Sequence, residues 1–168
     1  MSNSSKLINE IKDELVLRVC HEGIVRILKC ISQLTEEEVW NCPNDNIPSI
    51  GNLILHLNGN VRQWFLDGFC GLSFVRIRDE EFKARKSHTI SELSAILQSL
   101  KTDIEENTYI INHDLLVRKK TIQNHFHVSG FSIISHVIEH FSYHVGQIST
   151  LTKLLINKDL SYYSDLNL

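Results

Sequence analysis

Four stretches of this chain carry apolar residues at steps of three and four, and little between them is able to interrupt a helix. In the last stretch, from about Phe131 to Asn157, Val137, Phe141, His144, Ile148, Leu151 and Leu155 follow steps of +4, +3, +4, +3 and +4, the seam of a packed helix. The first stretch runs from about Ser5 to Leu34, with Leu7, Ile11, Leu15, Leu17, Val25, Ile27, Leu28 and Ile31 between charges. Gly23 predicts a break or kink near His21–Gly23. The second runs from Ser49 to about Phe69 (Leu53, Leu57, Asn60, Val61, Trp64). The third runs from the capping box Thr89-Ile90-Ser91-Glu92 to about His113. Thr35-Glu36-Glu37-Glu38 is another capping box, opening a short turn through Trp40, and Cys42–Pro48 reads as a loop. With 2 prolines and 7 glycines in 168 residues, the chain lacks the turns an all-β fold needs. The reading is all-α: one domain over residues 1–168, built as an antiparallel bundle of four long helices.

The connections are less regular. Leu72–Lys86 mixes charged and apolar residues and predicts a long crossover loop with a short turn. Within Asp114–Ser129 the pattern predicts a small hairpin, Leu115–Val117 pairing with Thr121–Val128 around Lys119-Lys120. The tail after Lys158 is polar and predicts fraying.

A net charge of -3 excludes nucleic-acid binding of the bulk electrostatic kind. No run of about 18–20 apolar residues is present, so no membrane span is expected. Cys20, Cys30, Cys42 and Cys70 form no Cys-x-x-Cys pair, which excludes a zinc ribbon or a thioredoxin motif. Met1–Lys6 is polar and no apolar leader follows, which predicts a cytoplasmic chain with reduced thiols.

Histidine is the compositional oddity, 9 of 168 residues. His144 occupies a seam position that calls for an apolar side chain. His140 lies one turn earlier and about 40° around the axis; His136 lies about 40° further, toward the flank. On the second helix His56 shares a face with Leu53, Asn60 and Trp64. Buried imidazoles need partners, and several together cannot all be charged. A divalent cation meets both needs by taking neutral nitrogen lone pairs. Two histidines at i and i+4 with a third from another helix make a three-histidine site with a position left open. The competing reading is a set of hydrogen-bonded core histidines without metal.

The neighbours divide similarly. Asn60 and His136 read as outer partners of the ligands or as core-edge and surface residues. Glu139, about 100° around the helix from His140, reads as an outer partner or, more simply, as a solvated residue. Arg76, Arg78 and Asp79 read as residues shaping an anionic pocket or, more simply, as an exposed ion-pair cluster; His125 and His127 as additional ligands or, more simply, as surface histidines on one face of a strand; and Cys70 as a reactive thiol or, more simply, a buried inert one.

Two segments resemble a known family. Ser49-Ile50-Gly51-Asn52-Leu53-Ile54-Leu55-His56-Leu57 resembles the first-histidine segment of the DinB-like (YfiT-like) metal-dependent proteins. Glu139-His140-Phe141-Ser142-Tyr143-His144-Val145-Gly146-Gln147-Ile148 resembles their second, a His-x-x-x-His followed by Gly-Gln-Ile. The resemblance implies an up-down-down-up four-helix bundle, often a homodimer. It implies a site on His56, His140 and His144 holding zinc or nickel, and in some members a thiol-dependent transferase or isomerase activity. Val145 stands after the last histidine where many relatives carry arginine, so no specific substrate carries over. Three functions follow. One is a metal-dependent S-transferase or hydrolase acting on a small molecule, with a low-molecular-weight thiol as cosubstrate. The second is a non-catalytic stress-response bundle that binds metal or a small molecule. The third is a structural dimer with a vestigial histidine cluster.

Overall fold

Three of the four long helices begin where a side chain caps them. Ser49 accepts a hydrogen bond from the Asn52 N–H, Thr89 from that of Glu92, and Ser129 from that of Ser132. The structure, a computed structural model, describes residues 3–163. Helix α1 covers residues 3–31. It is α-helical over Asn3–Leu15 and Ile24–Ile31 and widens to a π-helix over Val16–Gly23. The break expected at His21–Gly23 is therefore a change of winding within a continuous helix. There the Phe141 ring packs into the space a Gly23 side chain would need. A short α2, Glu36–Val39, follows with its Thr35/Glu38 capping box intact.

Helix α3 runs α-helically over Ile50–Val61 and as a π-helix over Arg62–Phe69, and the chain leaves it through Gly71 at φ +81°. The crossover contains α4, Arg78–Lys83. Helix α5 spans Ile90–Asn107, earlier in its ending than the periodicity predicts. A 3-10 turn, Thr108–Ile110, and α6, His113–Val117, come next. Strands β1, Lys119–Ile122, and β2, Phe126–Ser129, form an antiparallel hairpin, and α7 spans Gly130–Ile156.

Cross-helix contacts give the directions. Lys12 reaches the Tyr109 carbonyl and Cys20 that of Lys101, so α1 and α5 are antiparallel. His56 meets His140 and Asn60 meets His136, so α3 and α7 are antiparallel. Gly23 meets Phe141, and Cys30 joins Ser149 through Tyr162, so α1 and α7 are parallel. The fold is an all-α, up-down-down-up bundle, with one continuous core that includes Leu15, Ile27, Leu57, Leu97, Val137 and Phe141. Among the described residues no helix is long and apolar enough to cross a membrane, and all four cysteines are free.

Two expectations are corrected. The hairpin is present but shifted. Leu115–Val117 belong to α6, whose start Asn112 caps by accepting from the Leu115 N–H at 3.0 Å. Lys119-Lys120 open β1, and the reversal sits at Gln123 and Asn124, with φ of 53° and 59°. The tail does not fray at Lys158. Leu160 is buried, and the Tyr162 hydroxyl lies 2.7 Å from Ser149 Oγ and 3.1 Å from Cys30 Sγ. The rest of the tail lies outside the described residues.

Candidate metal centre

Antiparallel packing of α3 on α7 brings His56 against the turn that carries His140 and His144. His56 and His144 are 5% and 8% exposed, and His140 is half-buried. Ligand-capable nitrogens of the three lie within 4.8 Å of one another. His56 Nε2 and His140 Nε2 are 3.0 Å apart. Two of the three rings are held from behind. His56 Nδ1 lies 3.0 Å from Glu81 Oε2, and His144 Nδ1 lies 2.7 Å from Gln147 Oε1. Burial first, then the other imidazoles and Arg76, pushes His140 down to about 3. Burial likewise lowers His144, against the Gln147 hydrogen bond, and lowers His136. Near neutral pH His136, His140 and His144 are uncharged, the form that offers lone pairs to a cation.

The arrangement behind His56 is where the sequence reading falls short. Arg78 and Asp79 are exposed as expected, but Arg76 is not: its side chain is 3% exposed and that of Glu81 10%. The Arg76 fork donates to both Glu81 oxygens, Nε to Oε1 at 2.6 Å and Nη2 to Oε2 at 2.7 Å. Burial pushes the Glu81 carboxyl up, yet hydrogen bonds from Arg76 and His56 outweigh it and hold the group below its ordinary range. The pair fits against α3 because residue 59 is glycine. A Cβ there would run into Glu81 Oε1 and come within 2.9 Å of Arg76 Nε. Asn52 anchors α4 by donating to the Glu81 and Ala84 carbonyls at 2.8 and 3.0 Å. The available signals were Gly59 within a helix that already carries His56, and charges of both signs five residues apart at Arg76 and Glu81.

Other residues fall as follows. Asn60 is buried, its Nδ2 3.5 Å from His136 Nε2, while its Oδ1 has no hydrogen-bond partner among the described residues. His136 stacks on His140 and on Trp64, with ring centroids 5.1 and 3.9 Å apart. Phe82 packs on His56 at 4.9 Å and Tyr143 meets His144 edge-on at 5.0 Å. Glu139 is exposed, on a flank where it lines a cavity of about 610 Å³ with Arg18 and Arg26. His125 and His127 are exposed. Burial pushes the Cys70 thiol up to about 12, which leaves it protonated and unreactive.

Over residues 10–164 the sequence matches the family described as "Protein of unknown function (DUF1572)". The chain belongs to that family. No curated protein matches it. Its fold is similar to the crystal structure of a DinB-like protein from Bacillus cereus ATCC 10987. The TM-score is 0.65 over 83% of this chain and 90% of that one, at 15% identity, a likeness of fold. The DinB-like character read from the segments around His56 and His140–Gln147 therefore holds for this DUF1572 member in fold.

Proposed function

We propose that this DUF1572 member is a divalent-metal-dependent enzyme in which His56, His140 and His144 hold zinc or nickel. It acts on a small electrophilic molecule as an S-transferase or hydrolase. The observation that supports this most directly is the convergence of three imidazoles within 4.8 Å, two of them held from behind at Nδ1. The donor set fits a borderline metal: three nitrogens, with no carboxylate or thiolate among them. A bound ion would lower the pKa of a water or thiol at its open position and so supply a nucleophile at neutral pH. The chain's own residues do the rest. Glu81 and Gln147 orient their imidazoles. Arg76 balances the charge of Glu81, so that carboxylate would not offset the charge of a bound ion. Burial of His56 and His144 shields one side from water, while half-buried His140 and the His136–Trp64 stack border the approach. A low-molecular-weight thiol is the cosubstrate, and the working form is a cytoplasmic homodimer.

The test combines elemental analysis with turnover. Protein from metal-replete growth should retain about one zinc or nickel per chain. With glutathione or another low-molecular-weight thiol and monochlorobimane it should consume thiol, and His140→Ala should abolish that. Protein that retains no metal under those conditions contradicts the proposal. A second reading, metal or small-molecule binding without turnover, is favoured by the placement of the large cavities. The one of about 600 Å³ is lined by α3 and crossover residues and the one of about 610 Å³ by α1–α7 flank residues, neither by the three histidines. Tight metal binding with no thiol consumption across a panel of thiols and electrophiles decides for it.

A further inference from the structure

We propose that the buried Arg76–Glu81 pair is the positioning unit of His56, fixing its imidazole as the Nδ1–H tautomer and so directing the Nε2 lone pair into the three-histidine centre. The consequence for metal affinity rests on the metal reading above; the tautomer does not.

Two neighbours compete for His56 Nδ1. Glu81 Oε2 and Arg76 Nη2 both lie 3.0 Å from it. Arg76 Nη2 has two protons, and both have other acceptors: Glu81 Oε2 at 2.7 Å and the His56 carbonyl at 3.4 Å. A lone pair on Nδ1 would also face an ionised carboxylate oxygen at hydrogen-bond distance, which is repulsive. With the proton on Nδ1 that contact becomes a charge-assisted hydrogen bond. His56 Nε2 is then an acceptor. Its neighbour His140 Nε2, 3.0 Å away, supplies the N–H until a cation takes its place. His140 can accommodate that exchange as a neutral ring by carrying its proton on Nδ1, which makes no hydrogen bond among the described residues.

Arg76 has its own part. An isolated buried carboxylate would take up a proton or swing toward a cation; the guanidinium fork occupies both oxygens and keeps the group ionised and in place. The third arm of the fork, Nη1, donates to Gln63 Oε1 at 3.1 Å, which also accepts from Gln123 at 2.6 Å. The unit is thus tied to α3 and to the tip of the hairpin. His144 is oriented by a residue one turn along its own helix, whereas His56 is oriented by residues 20 and 25 positions further along the chain. The two devices can therefore be separated by mutation.

The experiment is a long-range ¹H–¹⁵N correlation spectrum of the histidine rings in chelator-treated protein near pH 7.5, with His56 assigned from a His56→Gln variant. It is paired with zinc affinity measured by competition with a chromophoric chelator. Wild type should show His56 as Nδ1–H. Glu81→Gln should lose that tautomer as the dominant form, leave the His144 signals unchanged, and weaken zinc binding about 10- to 100-fold. Because Glu81→Gln strands a buried guanidinium, the double variant Arg76→Met/Glu81→Leu removes both charges together and should give the same three results. Circular dichroism confirms folding of each. His56 remaining Nδ1–H in the folded double variant, or appearing as Nε2–H in wild type, overturns the proposal. A tautomer change in protein whose wild type binds no zinc supports the positioning role while refuting the metal reading.

Discussion

At the scale of single residues, Gly59 carries the site as much as the histidines do. An alanine inside a helix ordinarily gains about 1 kcal/mol over glycine. At position 59 the added methyl enters the space of the Glu81 carboxylate and the Arg76 guanidinium, two buried charges with no other place to go. Gly59→Ala should therefore lower the melting temperature and weaken zinc binding. Gly146→Ala, on α7 with nothing among the described residues within 4 Å of the added Cβ, should raise the melting temperature or leave it unchanged. Thermal melts of the two variants side by side check this, and a stabilised Gly59→Ala would remove the case for a tight slot. The same residues show what the sequence could reveal. His56, His140 and His144 stood out because a packed seam calls for apolar residues at or beside their positions. Arg76 and Glu81 did not, because a run of mixed charges normally lies in water. Their burial depends on where the crossover segment lands, which no local pattern records.

At the scale of elements, the capping boxes were the most reliable marks and the irregular connections the least. Thr89 shows why. Its N–H and hydroxyl both donate to Glu92 Oε2, at 2.7 and 3.0 Å, and its Oγ1 accepts from the Glu92 N–H at 3.2 Å, so four adjacent residues specify the start of α5. The hairpin was misplaced because its register follows from the left-handed pair Gln123 and Asn124, and only the asparagine signals that conformation. The α5 box also predicts a pH dependence. The Thr89 N–H, more than its hydroxyl, holds the Glu92 carboxyl below its ordinary value of 4.5. A carboxylate with a depressed folded pKa contributes stability above its unfolded pKa and loses it as the pH falls through the folded one. Glu92→Ala should therefore be less stable than wild type near pH 7, with the gap closing as the pH drops below about 4. Urea melts at several pH values measure this, and a gap constant down to about pH 2.5 would show that the carboxylate's charge is irrelevant to the cap.

At the scale of the whole molecule, two cross-connections complete the bundle. The tail closes the parallel seam between α1 and α7, where the Tyr162 hydroxyl bridges Cys30 and Ser149. Tyr162→Phe removes that bridge and should cost about 1 kcal/mol, read from denaturant melts. The second connection is the three-histidine cluster, which joins α3 to α7 and, through Glu81, joins both to the crossover. A cation that binds only where these elements converge must stabilise the folded chain by linkage. Free zinc at 100 times its dissociation constant contributes about 2.7 kcal/mol. For a chain of this length each kcal/mol shifts the melting temperature by about 2–4 °C, so wild type should gain roughly 5–10 °C. His144→Ala should abolish the gain. Glu81→Gln, assayed at the same free zinc, should retain only part of it, because it weakens the grip without deleting a ligand. Differential scanning calorimetry of the three proteins, with zinc and with chelator, orders them. An equal zinc-induced rise in wild type and His144→Ala would place the bound ion on exposed histidines such as His125 and His127 instead of inside the bundle.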